Sequence, residues 1–336
     1  MNKKRNYGID LIKIIACVLV IVLHSLNPTT PAVEHNIIRL SIYYIGTLAI
    51  PIFFMASGYF VLNKKNISYF YSFLRIKNIF IILFSWILLF SVIYFIIKHK
   101  FCFFNEMKGS IFANVAHSHF YHFWFFWALM IMLLIAPMLA WILRKSFKYF
   151  LVLTIIVTGI CWIQDLSLHF GYTNLMKNIP QVFRLNIWIE YYLLGGIIGN
   201  AHFRSIKNYV KSHFIIFSII DILLYIILIG YSLWNSKIIG WVYAEANYNN
   251  ILVMLISVIS MTLFAVANLR VDKIIECIIS ATMGIYILQS FAISALGKVH
   301  FFAIHPIFMI PVVFIACLII VKIALHLPII RNLFVL

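Results

Sequence analysis

The sequence predicts an all-α integral membrane protein of about ten transmembrane helices with both termini cytoplasmic, and three observations predict it. The 336 residues are 64% hydrophobic and only 10% charged, with mean hydropathy +1.04, more apolar surface than a soluble core can bury. The apolar residues come in repeated runs of about 18 or more, the length that crosses a hydrocarbon layer of roughly 30 Å. Lys and Arg alternate between rich and poor loops, as the positive-inside rule requires.

The spans run in order at 9–26, 37–62, 78–97, 120–143, 149–164, 185–203, 213–233, 249–267, 277–297 and 306–327. The first is too long, and carries polar groups at too regular a spacing, for a cleaved signal peptide, and it lacks a small-residue cleavage site. Pro51, Pro137 and Pro311 fall inside the second, fourth and tenth. A kink is expected at each, since neighbouring helices can satisfy the freed backbone groups. Glu190 marks the sixth span, Asp221 the seventh and Lys322 the tenth. No linker, repeat or low-complexity tail interrupts residues 1–336, which read as a single domain.

Orientation follows from the loops. One set carries Lys3, Lys4, Arg5, Lys64, Lys65, Arg75, Lys77, Arg144, Lys145, Lys148, Arg204, Lys207, Lys211, Arg270, Lys273 and Arg331. The other holds Lys98, Lys100, Lys108, Lys177, Arg184, Lys237 and Lys298, so the balance is sixteen against seven. The net charge of +17 is therefore a topological signal rather than a nucleic-acid surface. The cysteines, Cys17, Cys102, Cys161, Cys277 and Cys317, are scattered and odd in number, without disulfide or zinc spacing. The histidines of HSHFYH (117–122), namely His117, His119 and His122, also lack a zinc spacing, and no metal is expected.

The first span, in GIDLIKIIACVLVIVLHS (8–25), keeps Asp10, Lys13 and His24. Eleven residues separate Lys13 from His24, about three turns and about 16 Å along one helix face. Asp10 precedes Lys13 by three residues and shares that face. Ionisable groups inside a membrane face the protein interior or a water-filled cavity. Asp10 and Lys13 also fit a helix-end pair reaching the interface. His24, taken alone, reads as an interfacial or satisfied structural histidine.

These residues belong to a longer pattern. GIDLIKIIACVLVIVLHS, PIFFMASGYFVL (51–62), FYHFWFFWALMIMLLIAPML (120–139), YYLLGGIIG (191–199) and SATMGIYILQ (280–289) follow one another in order. Together they resemble the acyltransferase-3 family of polytopic membrane O-acyltransferases, nearest its enterobacterial-common-antigen O-acetyltransferase branch. Two positions depart from that pattern. Lys13 stands where the family has arginine, keeping the charge but losing the planar fork, and Gln289 stands where the family has histidine.

The resemblance implies transfer of an acetyl group from cytosolic acetyl-CoA to a sugar hydroxyl of a surface or lipid-linked glycan, in a multi-pass protein of the bacterial inner membrane. It implies no permanently bound cofactor. Its partners would be acetyl-CoA, the glycan acceptor and membrane lipid, with no nucleic acid. His24 would be catalytic, as base or transient acyl carrier, because a neutral imidazole can take the hydroxyl proton near working pH. Glu190 would be its catalytic companion, orienting the sugar or His24. Lys13, Asp10, Arg75 and Ser57 would form the donor site, since coenzyme A phosphates need cations. Ser57-Gly58 also reads as a close-packing point between helices. His122, Trp124, Tyr286 and Gln289 would line the acceptor site, while the other aromatics of HFWFFW read as an interfacial belt. The alternative function is a transporter or exporter of a glycan or small polar solute, which should carry inverted repeats and broken helices.

Overall fold

The computed structural model describes residues 6–113, 118–170, 175–267, 269, 272–328 and 330–334. Lys3, Lys4, Arg5, His117 and Arg270 lie outside the described residues. The protein is an all-α polytopic membrane protein, and no strand occurs among the described residues. Its principal helices are α1 (Tyr7–Ser25), α2 (Ile37–Ile45), α3 (Ala49–Val61), α4 (Tyr69–Lys98), α5 (Phe103–Phe112), α6 (Trp124–Lys145), α7 (Phe147–His169), α8 (Leu185–Gly199), α9 (Arg204–Ser212), α10 (Phe214–Ile239), α11 (Ile251–Val266), α12 (Asp272–Ile279), α13 (Thr282–Leu296) and α14 (Met309–Leu325).

Each expected span has a helical counterpart, but the lengths differ. Among the described residues, seven segments are long and apolar enough to cross a membrane, or eight if the bent pair α12–α13, broken by 55°, is one span. The helices α8, with 15 residues, and α11, with 16, fall short of the roughly 20 that a straight span needs. Both are packed inside the bundle, so their ends meet protein as well as membrane.

Local sequence explains the breaks. A 3₁₀ turn at Gly46–Leu48 separates α2 from α3, and Pro51 then falls in the first turn of α3. Another at Pro306–Phe308 places Pro311 in the first turn of α14. A helix's first N–H groups have no intrahelical partner, so proline costs little there. The expected kinks at these two prolines are thus helix starts, whereas Pro137 lies within continuous α6.

α1 is the hub. It packs on α3, α11, α12, α13 and α14, and Asn6 caps its first turn by accepting from the Ile9 N–H. The most extensive helix pairing among the described residues is α3 on α8. A Cβ on Gly58 would lie 1.9 Å from the Tyr192 carbonyl oxygen, and one on Gly195 would lie 1.9 Å from that of Met55. Glycine at both positions lets the two backbones touch, as in other close membrane crossings. Large apolar side chains such as Ile96, Ile163, Ile215 and Ile222 point outward from α4, α7 and α10, where lipid replaces water.

Candidate active site

Two cavities approach each other from opposite ends of α1. The first, of about 290 Å³, is lined by Lys13, Ser57, Tyr71, Arg75, Phe125 and Tyr286 among others. The ammonium of Lys13 lies 5.9 Å from the centre of the Phe60 ring. Tyr71 organises the other cations. Its hydroxyl accepts from Arg75 Nε at 3.3 Å, and the Lys64 ammonium sits 3.6 Å over its ring, a favourable position for a cation. Arg144 reaches the same region and donates to the Lys64 carbonyl. Three helices, α1, α4 and α6, and the loop before α4 thus bring positive charge to one end of the bundle.

The second cavity, of about 570 Å³, holds His24, Tyr121, Trp124, Lys177, Arg184 and Glu245. His24 ends α1 and meets Tyr121 of the Tyr121–Phe123 turn, with Nδ1 and the tyrosine oxygen 3.1 Å apart. Trp124 packs on Trp188 at 5.2 Å, and Trp188 stacks on Phe54 at 4.9 Å, so the aromatic wall is rigid. Arg184 is the residue before α8, held by its Nε donating to the Ile179 carbonyl at 3.0 Å. Glu245 accepts from the Gln181 side chain and lies 3.7 Å from Arg184 Nη1. Burial pushes the Glu245 carboxyl up from its ordinary value, and the Arg184 guanidinium only partly offsets that.

The partition between the cavities is thin. Tyr286 lines the first cavity and donates to the His122 carbonyl oxygen at 2.6 Å. The buried His122 ring lies 5.4 Å from the Tyr286 ring and 6.4 Å from that of His24. Neither nitrogen of the His122 ring has a hydrogen-bond partner among the described residues.

Of the residues singled out by sequence, Lys13, Ser57 and Arg75 come together in the first cavity, and His24 and Trp124 in the second. Asp10 is buried in the first turn of α1 and lines neither. Tyr286 faces the Lys13 cavity rather than the His24 cavity. Gln289 is fully buried with both amide atoms unpartnered among the described residues. Glu190 is also fully buried, lines neither cavity, and faces Cys161 and Thr158 of α7. His119, from the histidine-rich stretch, is engaged by Glu106 at 2.9 Å.

Sequence reading missed Tyr121, Tyr71, Arg184 and Glu245. Tyr121 falls just outside HFWFFW and carries no assignment there, although it immediately precedes His122. Arg184 counted only as a loop charge. Nothing local marks Glu245 as its partner 61 positions away (245 − 184).

Two cavities, one basic and one lined by an imidazole and aromatic rings, define a membrane-embedded site that faces both ends of the bundle. A family model described as an acyltransferase domain matches residues 6–326, so the chain belongs to the acyltransferase-3 family. Membership implies membrane acyltransferase activity. No curated protein and no solved structure matches the chain.

Proposed function

We propose that the protein is an O-acetyltransferase of the bacterial inner membrane, akin to the enterobacterial-common-antigen branch. It takes acetyl from cytosolic acetyl-CoA and delivers it to a sugar hydroxyl of a surface or lipid-linked glycan. The observation that carries this reading is the placing of Lys13 and His24 in opposed cavities along one helix, separated by the layer of Tyr286 and His122. Lys13, Arg75 and Lys64 offer charge to the phosphates of the donor. Lys13 and His24 are about 16 Å apart along the helix axis, a span for the extended pantetheine arm.

In the chemical step, His24 takes the proton of the acceptor hydroxyl while its oxygen attacks the thioester carbonyl. The C–S bond then breaks as the tetrahedral species collapses, and the departing thiolate receives the proton from the imidazolium. This requires Nε2 as the free lone pair, with Nδ1–H donating to the Tyr121 oxygen, a contact that holds the imidazole in place. Tyr121 is thus a positioning residue. Transient acylation of His24 is the covalent variant of the same scheme. Glu190, facing α7, supports the bundle rather than His24 directly.

The charge pattern supports a cytoplasmic Lys13 cavity. A cysteine-accessibility map should then label positions 64 and 204 from inside and 177 from outside. Labelling of 64 and 177 from the same side would refute this orientation. A transporter would need paired broken helices, whereas the described residues contain a single bent pair. The deciding experiment is mass spectrometry of surface glycans from cells with and without the protein. An acetyl-sized mass difference is expected; an identical glycan that instead fails to reach the surface would establish export.

A further inference from the structure

Arg184 is 3% exposed, yet it lines the cavity that contains His24. Its guanidinium carbon lies 5.2 Å from the Trp241 ring centre, and its Nη1 has no hydrogen-bond partner among the described residues. Glu245 Oε2 is 3.7 Å from that nitrogen, beyond the 2.7–3.2 Å or so of a direct N–H···O bond. The pair is firmly mounted. Gln181 donates to Glu245 through its side chain, while its backbone carbonyl accepts from the Trp188 indole at 2.7 Å. A buried cation and a half-buried anion held just out of contact, with a buried donor left unmade, form an unfavourable arrangement unless a third group joins them.

The gap defines that group. It must accept from Arg184 Nη1 and donate to Glu245 Oε2, which a hydroxyl does and a carboxylate or phosphate does not. Two hydrogen bonds of about 2.8 Å across this gap meet at the hydroxyl oxygen at roughly 80°, which a bridging hydroxyl tolerates. An anionic substituent would be attracted by Arg184 but would meet the like charge of Glu245. Trp124 lines the same cavity and offers a flat apolar face for a pyranose ring.

Resting on the reading of this cavity as the acceptor site, we infer that Arg184 and Glu245 form its specificity subsite: they hold one hydroxyl of a neutral sugar between them and so present a neighbouring hydroxyl to His24.

The test is a titration of the purified full-length protein with three neutral probes, methyl glucoside, methyl galactoside and methyl mannoside, and with glucuronate. Tryptophan fluorescence reads the binding, since Trp124 lines the site. At least one neutral methyl hexoside should bind, and Glu245→Gln and Arg184→Gln should each weaken it tenfold or more. Arg184→Lys should weaken it less than Arg184→Gln. Thermal melting identifies variants that retain the fold, and Glu245→Gln, the smaller change, keeps the test open if Arg184→Gln does not fold. Unchanged binding by folded Glu245→Gln, tighter binding of glucuronate than of every neutral sugar, or binding of none of the four would overturn the inference. Binding is read without acyl transfer. Pair-dependent sugar binding by a protein that never transfers acetyl would count against the proposed function and not against the subsite.

Discussion

The hydroxyl of Tyr286 donates to the backbone carbonyl of His122 at 2.6 Å, tying α13 to the turn before α6 across 164 positions of sequence. This bond closes the layer between the two cavities. On one side lies the basic cavity that Tyr286 lines, and on the other the His122 ring approaches His24. Tyr286→Phe removes the donor and leaves a buried carbonyl unpaired. The expected cost is about 1–3 kcal/mol, since an unsatisfied buried group loses more than a net hydrogen bond. Thermal unfolding in detergent measures it, and a midpoint equal to wild type would show that the bond contributes nothing.

His24→Ala should lower acyl transfer by about two to four orders of magnitude, the usual contribution of a positioned general base. His24→Gln keeps size and polarity but cannot accept a proton at neutral pH, so it should be nearly as inactive. A well-expressed His24→Gln protein with full transfer activity would remove His24 from the chemistry. Tyr121→Phe should lower kcat by about tenfold while leaving the donor KM unchanged, because it loses only the group that orients the imidazole.

Lys13→Ala should raise the apparent KM for acetyl-CoA, and Lys13→Arg should keep or lower it, because arginine adds a planar fork to the same charge. The measurement is initial rate against donor concentration at saturating acceptor. Identical donor kinetics in wild type and Lys13→Ala would make Lys13 an interfacial anchor.

Glu106 and His119 make stability depend on pH. The Glu106 carboxyl is raised by burial but held below its ordinary value overall, by bonds from the His119 ring, the Ser118 hydroxyl and the His119 N–H. The same bond to Glu106 holds the His119 imidazole above its ordinary 6.5, against burial. A raised imidazole stabilises the fold fully below its unfolded value and stops doing so as pH rises through its folded value. A lowered carboxyl stabilises above its unfolded value and stops as pH falls through its folded one. The pair therefore contributes most between the ordinary carboxylate and imidazole ranges and weakens at alkaline pH. Melting curves across pH should show this loss in the wild type and its absence in Glu106→Gln; parallel profiles would rule it out.

Gly58→Ala should be strongly destabilising. Its new Cβ would lie 1.9 Å from a backbone oxygen that no side-chain rotation can move, and overpacking typically costs about 1–3 kcal/mol or more. Gly159→Ala is the control. That glycine lies within α7 with nothing within 4 Å of a built Cβ, and alanine there should stabilise the helix by up to about 1 kcal/mol. Equal yields and melting points for the two variants would contradict the crossing geometry.

What the sequence determined by itself was the class of protein and the wall of the site. Apolar runs of membrane length can only be helices, because every backbone group must be satisfied internally in lipid. A polar stripe of Asp10, Lys13 and His24 on one such helix points to an inward face, and the motif order set that reading above an interfacial one. The motif order also sufficed to show the family resemblance. Which helix faces which was decided by tertiary structure alone. In water a helix reveals its buried face by its apolar stripe, but in a membrane both lipid and core are apolar. α1 and α10 are both predominantly apolar, yet most of α1 is buried and almost none of α10 is. For the same reason the sequence set Glu190 beside His24 when it faces Cys161, and Tyr286 on the His24 side when it lines the Lys13 cavity. The joining of Tyr121 to His24 and of Arg184 to Glu245 depends on how helices distant in the chain pack. Small-residue crossings such as Gly58 on α8 set that packing, and no local periodicity encodes it.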